Sequence, residues 1–470
     1  MESTIKVHIE NFAKIEKADI KIAPLMFFVG DNNSGKSYLL SLLWGLLTQS
    51  HIILEGFDNC KSSSISKCKE WLKLIITNEG IEYEFDQEKI VLFNQIINEI
   101  IKINKDKFVS YIFNSDMTIG QLTVDIHLEE KFYFKVAPLK AENTTLEIMK
   151  DSKVFSVSKN KEHSVGIFLG NDAEIDVTAS YLLKYVLQFF MSFHPFTVYG
   201  SGNVVFLPAA RTGLLLSRKF ITNIAYDKLN PNFYSFLNNM KEDSTEEDSY
   251  FTKPFISFLK LINSINSKNM NIKGKKNSSD YQSKLQAMIE SEILGGSLEI
   301  KESLNNSIVY SPYNSDKEIK IFVTSSVITE VAPLYLIFKY KMKLDYLLIE
   351  EPEICLHPKF QWIIARVLIQ LSNYGIPVMI TTHSDTIIQL VNNMIKLNNN
   401  PKRDKLMKEY NYSKKDLVVE PNIEMYQFNC IENTSSVKRL NYDKYGFVVP
   451  TFNNSLQRFF EETMALQEDL

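Results

Sequence analysis

The chain has 470 residues, 45% of them hydrophobic and 23% charged, which is ordinary for a globular protein of about two to four structural units. The formal net charge of -4 provides no overall basic field, so nucleic-acid binding would need a local patch. The four cysteines form no C-x-x-C pair, residues 1–4 do not begin a signal peptide, and no apolar run approaches the about 18–20 residues of a membrane span. We therefore expect a cytoplasmic protein without disulfides and without membrane association.

The first 50 residues predict a compact α/β start. Short strands are predicted over 6–9 and 18–22, and the continuous apolar run 25–29 predicts a buried central strand. Residues 30–37 then read Gly-Asp-Asn-Asn-Ser-Gly-Lys-Ser, and leucines recur at helical spacing as far as Leu47. The pattern is typical of a strand, a glycine-containing loop and a helix in direct succession.

Residues 51–199 are predicted as an α+β insertion. Two segments have helical apolar spacing, two alternate like strands, and a last helix ends before Pro195. In chain order these segments are 71–76, 90–103, 123–128, 131–136 and 174–193.

The next part of the chain combines one strand with a polar excursion. A buried strand is predicted over 204–207 and runs into Pro-Ala-Ala-Arg-Thr-Gly at 208–213. Residues 220–290 are rich in Asn, Ser and Lys and contain the acidic run 242–248. We predict a mostly helical excursion there and no long coiled-coil arm, because the stretch is short and sustained heptads are missing.

The core pattern resumes near residue 297. Strands over 346–349 and 378–381 are predicted to flank a helix, in which apolar residues between 360 and 371 recur at i, i+3, i+4 and i+7. A strand near 424–429 and a helix over 453–467 complete the prediction.

Residues 30–37 match the phosphate-loop pattern G-x-x-x-x-G-K-S. Such a loop directs backbone N–H groups at phosphates, its glycines permit close approach, its lysine reaches the β- and γ-phosphates, and its serine serves Mg²⁺. A chance match is the alternative, and the strand before and helix after argue against it. The predicted nucleotide-binding residues are Gly30, Asn32, Asn33, Ser34, Gly35, Lys36 and Ser37.

Two strand ends carry further candidate residues. The strand over 346–349 ends in Glu350 and Glu351, and carboxylates at the carboxyl end of a parallel strand lie where such sheets bind ligands. Glu350 is then a candidate for the Mg²⁺ shell, and Glu351 for orienting and deprotonating the attacking water. His383 follows the strand over 378–381 and is predicted to contact the γ-phosphate. The alternatives are a solvated acidic turn and a structural histidine.

Three segments carry a family resemblance: the loop 30–37, Glu-Glu-Pro-Glu-Ile-Cys-Leu-His-Pro at 350–358, and Thr-Thr-His-Ser at 381–384. Together they resemble the ATP-binding-cassette class of ATPases, in the soluble branch that includes RecF, OLD-family and SMC-type proteins. The resemblance implies an α/β head with a mixed sheet flanked by helices. We assign this head to residues 1–50, 200–219 and 291–470, leaving 51–199 and 220–290 as insertions.

The same resemblance implies roles for single residues. Glu351 matches the catalytic glutamate, Glu350 the acid on the Mg²⁺ side and His383 a switch histidine, with Lys36 on the phosphates. Heads of this class hydrolyse ATP when two protomers enclose it, so the resemblance implies ATP and Mg²⁺ as cofactors and a second copy as a partner.

The partner protomer is expected to supply a serine at a helix N-terminus. Ser325 and Ser326 precede a long apolar stretch and are the candidates, although they depart from the Leu-Ser-Gly-Gly-Gln pattern of transporters. A plain helix cap is the alternative. Arg211 lies in an element that resembles one of small defence ATPases; it is expected to reach a phosphate, to fix the geometry between protomers, or only to tie down a loop.

The whole chain resembles stand-alone ATPase subunits of bacterial anti-phage systems of the PARIS and Septu types, in residues 325–334 and 450–463. Because no Asp-x-Asp pair follows residue 400 and no histidine begins an HNH-like cluster, we expect no nuclease activity from this chain. A separate TOPRIM- or HNH-type nuclease or toxin and a phage trigger protein are the expected partners.

Three other functions stay open. A RecF-like repair or recombination ATPase would bind DNA, for which basic clusters at 268–276 and 402–415 are candidates; a solvated polar face is the alternative for both. A transporter ATPase is disfavoured by the missing transporter signature. A nucleotide-locked scaffold with very slow hydrolysis is the fourth possibility.

Overall fold

The structure is a computed structural model that describes residues 4–138, 153–159, 163–169, 174–192, 203–218, 251–265, 280–301, 306–419, 422–450 and 460–466. Its strands are β1 (Thr4–Phe12), β2 (Ile15–Lys21), β3 (Leu25–Gly30), β4 (Tyr83–Glu84), β5 (Ile119–His127), β6 (Phe132–Pro138), β7 (Lys153–Lys159), β8 (His163–Leu169), β9 (Val204–Leu207), β10 (Gly296–Lys301), β11 (Ser307–Pro312), β12 (Ile319–Lys320), β13 (Tyr346–Glu350), β14 (Val378–Thr382), β15 (Ile423–Ile431), β16 (Thr434–Arg439), β17 (Tyr442–Asp443) and β18 (Gly446–Phe447). Its helices are α1 (Lys36–Thr48), α2 (Ser50–Leu54), α3 (Ser63–Thr77), α4 (Gln87–Phe113), α5 (Ile175–Met191), α6 (Lys253–Ser264), α7 (Asp280–Ile289), α8 (Ser326–Lys339), α9 (Pro358–Asn373), α10 (Asp385–Asn398) and α11 (Arg403–Glu409), and residues 211–218 and 460–466 are also helical.

Nine strands form one mixed sheet in the order β5-β1-β2-β16-β15-β3-β14-β13-β9. The five strands from β15 to β9 are parallel, so their carboxyl ends lie along one edge, where sheets of this kind bind ligands. β3 lies between β15 and β14 and all six of its residues are buried, as its continuous apolar run predicts. The predicted α/β fold class, a mixed sheet flanked by helices, is confirmed.

The two faces of this sheet support two cores. Successive residues of β3 point to opposite faces, so Met26 and Phe28 pack in one core and Phe27 and Val29 in the other. The first core takes in α1 to α5, and the second takes in α6 to α10. The sheet is therefore covered on both sides, and its parallel strands are held rigidly by packing.

Two asparagines of α4 bind the backbone of β5, the strand at one edge of the nine-stranded sheet. Asn94 and Asn98 of α4 each donate to and accept from the backbone of β5, at Ile126 and Val124 respectively, over 2.8–3.1 Å. The side chains thus satisfy backbone groups that an edge strand would leave open to another chain. β5 lies within the predicted insertion 51–199, so the sheet of the head extends into that range.

The remaining sheets are small. The sheet β4-β6-β7-β8 lies within 51–199 and joins the first core through residues such as Phe134 and Phe155. The sheet β10-β11-β12 was not predicted, because its short strands alternate with polar residues and turns. β16 was also missed, since its Thr-Ser-Ser-Val-Lys-Arg sequence has little apolar character.

Two predicted helical regions are described in part. In the excursion 220–290, α6 and α7 are helical as predicted, while 219–250 and 266–279 lie outside the described residues. In the predicted final helix 453–467, the described residues 460–466 are helical.

Among the described helices, none alone has both the length and the apolar character to cross a bilayer. The stretches Lys36–Thr48 and Ser50–Asn59 satisfy that measure only when taken together, and they meet at an angle of 69°. The apolar residues of the first stretch pack in the protein core.

Candidate functional site

The predicted strand–loop–helix unit is present: β3 ends at Gly30 and α1 begins at Lys36. Gly30 has φ +138°, and a Cβ there would lie 2.6 Å from the carbonyl oxygen of Phe428. Gly35 precedes the helix with φ +99°, a conformation that side-chain-bearing residues rarely adopt. Both glycines are therefore required by backbone geometry.

The N-terminus of α1 has the features of an anion-binding site. No side chain caps α1, so the N–H groups of its first turn are left for an incoming ligand. Asn32 and Asn33 are exposed, Ser34 is fully buried beneath them, and Ser37 is exposed on the first turn of the helix. The predicted phosphate-binding residues thus surround one helix N-terminus.

Lys36 is folded back onto the loop. Its Nζ donates to the carbonyl oxygens of Gly30 and Asp31, at 3.0 and 2.6 Å, and to Ser34 Oγ at 3.2 Å. Burial lowers the pKa of Lys36 to about 8, against the opposing effect of nearby acids, of which Glu351 is the strongest. A bound phosphate would supply a negative charge for this ammonium group, which in the structure donates hydrogen bonds to uncharged oxygens of the loop.

Replacing Gly30 with alanine is expected to destabilise the protein by about 1–3 kcal/mol and to weaken nucleotide binding, because the new methyl group collides with Phe428. The midpoint of thermal unfolding, measured with and without ATP, checks this. Gly213→Ala is the matched control, since no atom lies within 4 Å of its added Cβ. An unchanged midpoint for Gly30→Ala would show that the loop tolerates a side chain there.

Glu350 ends β13 beside the loop. The carboxylate is buried, its Oε2 accepts from the backbone N–H of Ala209 at 3.0 Å, and it also accepts a hydrogen bond from the Ser37 side chain. Burial raises the pKa of Glu350, and these hydrogen bonds oppose that rise. A hydroxyl and a carboxylate that already meet are the kind of oxygen ligands Mg²⁺ prefers, so Ser37 and Glu350 fit the predicted metal role.

Glu351 and His383 face each other at the same edge of the sheet. Glu351 Oε1 lies 3.4 Å from His383 Nε2, and the two side chains are 31% and 25% exposed. The hydrogen bond from His383 lowers the pKa of Glu351, so this carboxylate is ionised at neutral pH. Glu351 has φ +41°, and its N–H donates to the carbonyl oxygen of Thr381 at 2.9 Å. A strained residue that its neighbours hold in place is typical of functional sites.

Glu353 is a further acid of the site that was not among the predicted site residues. Its Oε1 accepts from Thr382 Oγ1 at 2.8 Å and from the His383 N–H at 2.6 Å. Its Oε2 is buried without a hydrogen-bond partner, and burial raises the pKa of Glu353. The Glu-Pro-Glu string was visible in the sequence, but only the fold shows that its last acid turns inward and holds the backbone of His383.

Arg211 lies underneath the acidic strand end. Four of the guanidinium N–H groups donate to backbone carbonyls: Nε to Glu330, Nη1 to Pro208 and Glu350, and Nη2 to Glu351. Nη2 also forms an ion pair with the Glu330 carboxylate. Arg211 is buried, and its described contacts are with neighbouring backbone and Glu330, as the predicted alternative of tying down a loop would require.

Ser325 and Ser326 lie at the start of α8, both exposed. The Ser325 side chain makes no capping hydrogen bond, so the hydroxyl and the first N–H groups of α8 are open to a ligand. No described contact joins either serine to the phosphate loop of the same chain. Phe322 and Val323, just before them, are also exposed, so this end of α8 has the features of a contact surface.

Solved structures that resemble the chain include the SMC head domain from Thermotoga maritima, 9% identical, with a TM-score of 0.33 over 94% of this chain and 100% of that one. Another is the Smc head domain with an extended coiled coil, bound to the C-terminal domain of ScpA derived from Pyrococcus furiosus. It is 12% identical, with a TM-score of 0.35 over 99% of this chain and 100% of that one. Both TM-scores are low.

No curated protein matches this chain. The family of the AAA ATPase domain, in contrast, matches residues 5–388. That match spans the phosphate loop, the acidic end of β13 and the histidine after β14, which are the parts that meet in the structure. The chain therefore belongs to the AAA ATPase domain family.

Proposed function

We propose that this ATPase is the ATP-dependent scaffold of a cytoplasmic anti-phage defence complex. Two copies close around ATP and thereby hold or release a separately encoded effector, a nuclease or toxin of TOPRIM or HNH type. The observation that carries the proposal is the separation of two half-sites: the phosphate loop has its acids beside it, whereas the open serines of α8 are exposed elsewhere. The resemblance of residues 208–213 and 325–334 to defence ATPases supports a role in anti-phage defence.

Each side chain of the half-site has one task in this proposal. Lys36 leaves its backbone acceptors for the β- and γ-phosphates. Ser37 and Glu350 would hold Mg²⁺, which when bound would supply positive charge beside the phosphates. Glu351, kept ionised by His383, orients the attacking water and accepts its proton. His383 contacts the γ-phosphate and so distinguishes ATP from ADP.

The second half-site comes from the other copy. The hydroxyl of Ser325 or Ser326 and the N–H groups of α8 have no capping partner, and a γ-phosphate presented by the other copy would satisfy them. Closure therefore depends on the γ-phosphate, and hydrolysis weakens it. A scaffold with this property can report the arrival of a phage trigger by a change in partner binding.

Purification of the full chain together with the product of its neighbouring gene tests the scaffold role. We expect the two to co-elute in a ratio that depends on ATP, and Glu351→Gln to extend the lifetime of the ATP-dependent state. Recovery of free chain alone, with and without ATP, would contradict the scaffold. Cleavage of DNA by the chain alone with Mg²⁺ would contradict the separate effector.

A RecF-like role in DNA repair has one observation in its favour. Lys402, Lys405 and Lys408 are exposed on or beside α11, although Lys415 donates to the carbonyl oxygen of Asn373 and stacks over a tyrosine. Binding to duplex DNA that weakens steeply with salt would support this second role, because phosphate contacts release counterions. The other basic cluster, 268–276, lies outside the described residues.

A further inference from the structure

A buried carboxylate connects the exposed start of α8 to the interior of the site. Glu330 lies one turn into this helix, four residues after Ser326, and its carboxylate is paired with Arg211. Both side chains are 2% exposed. The Thr212 hydroxyl also donates to the Glu330 carboxylate, so this acid is held from two adjacent positions of one segment.

On its other side, this connection reaches the carboxyl end of β13, where Glu350 and Glu351 lie. Arg211 donates from Nη1 to the carbonyl oxygen of Glu350 at 2.6 Å and from Nη2 to that of Glu351 at 3.0 Å. Glu351 has φ +41°, a conformation that costs free energy and persists only when its surroundings fix it. The guanidinium is thus one of the groups that hold the catalytic carboxylate in its orientation.

We propose that the Arg211–Glu330 pair couples the two ATP sites of the dimer. The inference rests on the proposed function, in which α8 of one copy contacts the ATP bound by the other copy. In any one chain, Ser325 then senses the partner's nucleotide, while Glu351 acts on the chain's own nucleotide. The pair joins these two elements, so engagement at one site positions the catalytic acid at the other.

The physical properties of the pair suit this task. A buried ion pair is stiff, because separating its members would leave an unpaired charge in a low-dielectric interior. Arg211 is paired with the Glu330 carboxylate and donates to the carbonyl oxygens of Glu350 and Glu351, so a shift of Glu330 is transmitted to the backbone at those two residues. Arg211 and Glu330 are positioning residues in this scheme, because neither touches the nucleotide.

Glu330→Gln in the full chain tests the proposal, since the amide keeps the size of the side chain and removes its charge. We expect kcat for ATP hydrolysis to fall by about tenfold, because small displacements of a catalytic group are costly. The Hill coefficient for ATP should fall from about 2 in the native protein to about 1. The Kd for ATP should stay within about twofold of the native value, since the phosphate loop is intact.

Asp416→Asn is the matched control. Asp416 is fully buried and paired with Arg366, so the change removes a comparable buried charge, but this pair joins α9 to the segment after α11 and touches no site residue. The control should lower the thermal midpoint and leave the Hill coefficient unchanged. Cooperativity is therefore the readout that a merely structural brace would not change.

The outcomes separate the inference from the function on which it rests. Native cooperativity that persists in Glu330→Gln overturns the coupling and leaves the ATP-enclosing dimer in place. A native protein without ATP-dependent dimerisation overturns both.

If Glu330→Gln does not fold, the double variant Arg211→Met with Glu330→Leu replaces the pair by apolar volume. Loss of cooperativity in that variant, with ATP binding retained, supports the coupling, and native cooperativity overturns it.

Discussion

Replacing Lys36 with alanine is expected to abolish ATP binding in the concentration range where the native protein saturates. The ammonium group is within 3.2 Å of three oxygens of its own loop, so it is positioned over the place where phosphates enter. Each hydrogen bond to a charged group contributes about 1.5–3 kcal/mol, and Lys36 serves two phosphates, so the affinity should fall by at least about 100-fold.

Calorimetric titration of Mg-ATP into native protein and variant measures this loss. Lys415→Ala is the control: its ammonium also donates to a backbone carbonyl, that of Asn373, but it lies outside the site. Circular dichroism establishes that each variant is folded. Native affinity in Lys36→Ala would remove the phosphate loop from the nucleotide site and, with it, the reason for assigning Glu350 and Glu351 to that site.

The elements around the phosphate loop could be predicted because local pattern and tertiary role agree there. β3 is buried on both faces and therefore appears as an unbroken apolar run, and α1 follows with its leucines at helical spacing. β5 shows the opposite case. Its alternation was recognised, but its partner strand was not, because pairing with β1 joins residues more than 100 positions apart.

The candidate site was predictable at the level of motifs and not at the level of contacts. Lys36, Glu350, Glu351 and His383 meet as their strand-end positions suggest, because parallel strands deliver their carboxyl ends to one edge. The inward turn of Glu353 was not predictable, since it depends on the path of the chain after Glu351.

Arg211 shows why a motif does not define a role. A sequence gives an arginine near phosphate-binding residues, and phosphate contact is a reasonable hypothesis for it. Which acceptors its five N–H groups find depends on Glu330, which is 119 positions away in the chain. Only the assembled fold brings these two side chains together.

Glu351→Gln is expected to keep ATP binding and to lower the rate of hydrolysis by about 100-fold to 10,000-fold, the range that a positioned general base contributes. The amide has the shape of the carboxylate and still contacts His383, but it cannot accept a proton from water. Because the hydrogen bond from His383 lowers the pKa of Glu351, protonation of this carboxylate should not limit native activity until well into the acidic range.

Single-turnover experiments measure the hydrolysis rate of this variant, and light scattering with ATP measures its dimer fraction. Slow hydrolysis with a larger dimer fraction means that Glu351 is the base and that closure needs the intact γ-phosphate. Slow hydrolysis with no dimer means that the serines of α8 do not meet the nucleotide. That result would contradict the scaffold role and retain Glu351 as the general base. Hydrolysis at the native rate would show that another group activates the water, and Glu353, with its unpaired buried oxygen, would be the next acid to replace. The three results thus assign the chemistry and the assembly independently of each other.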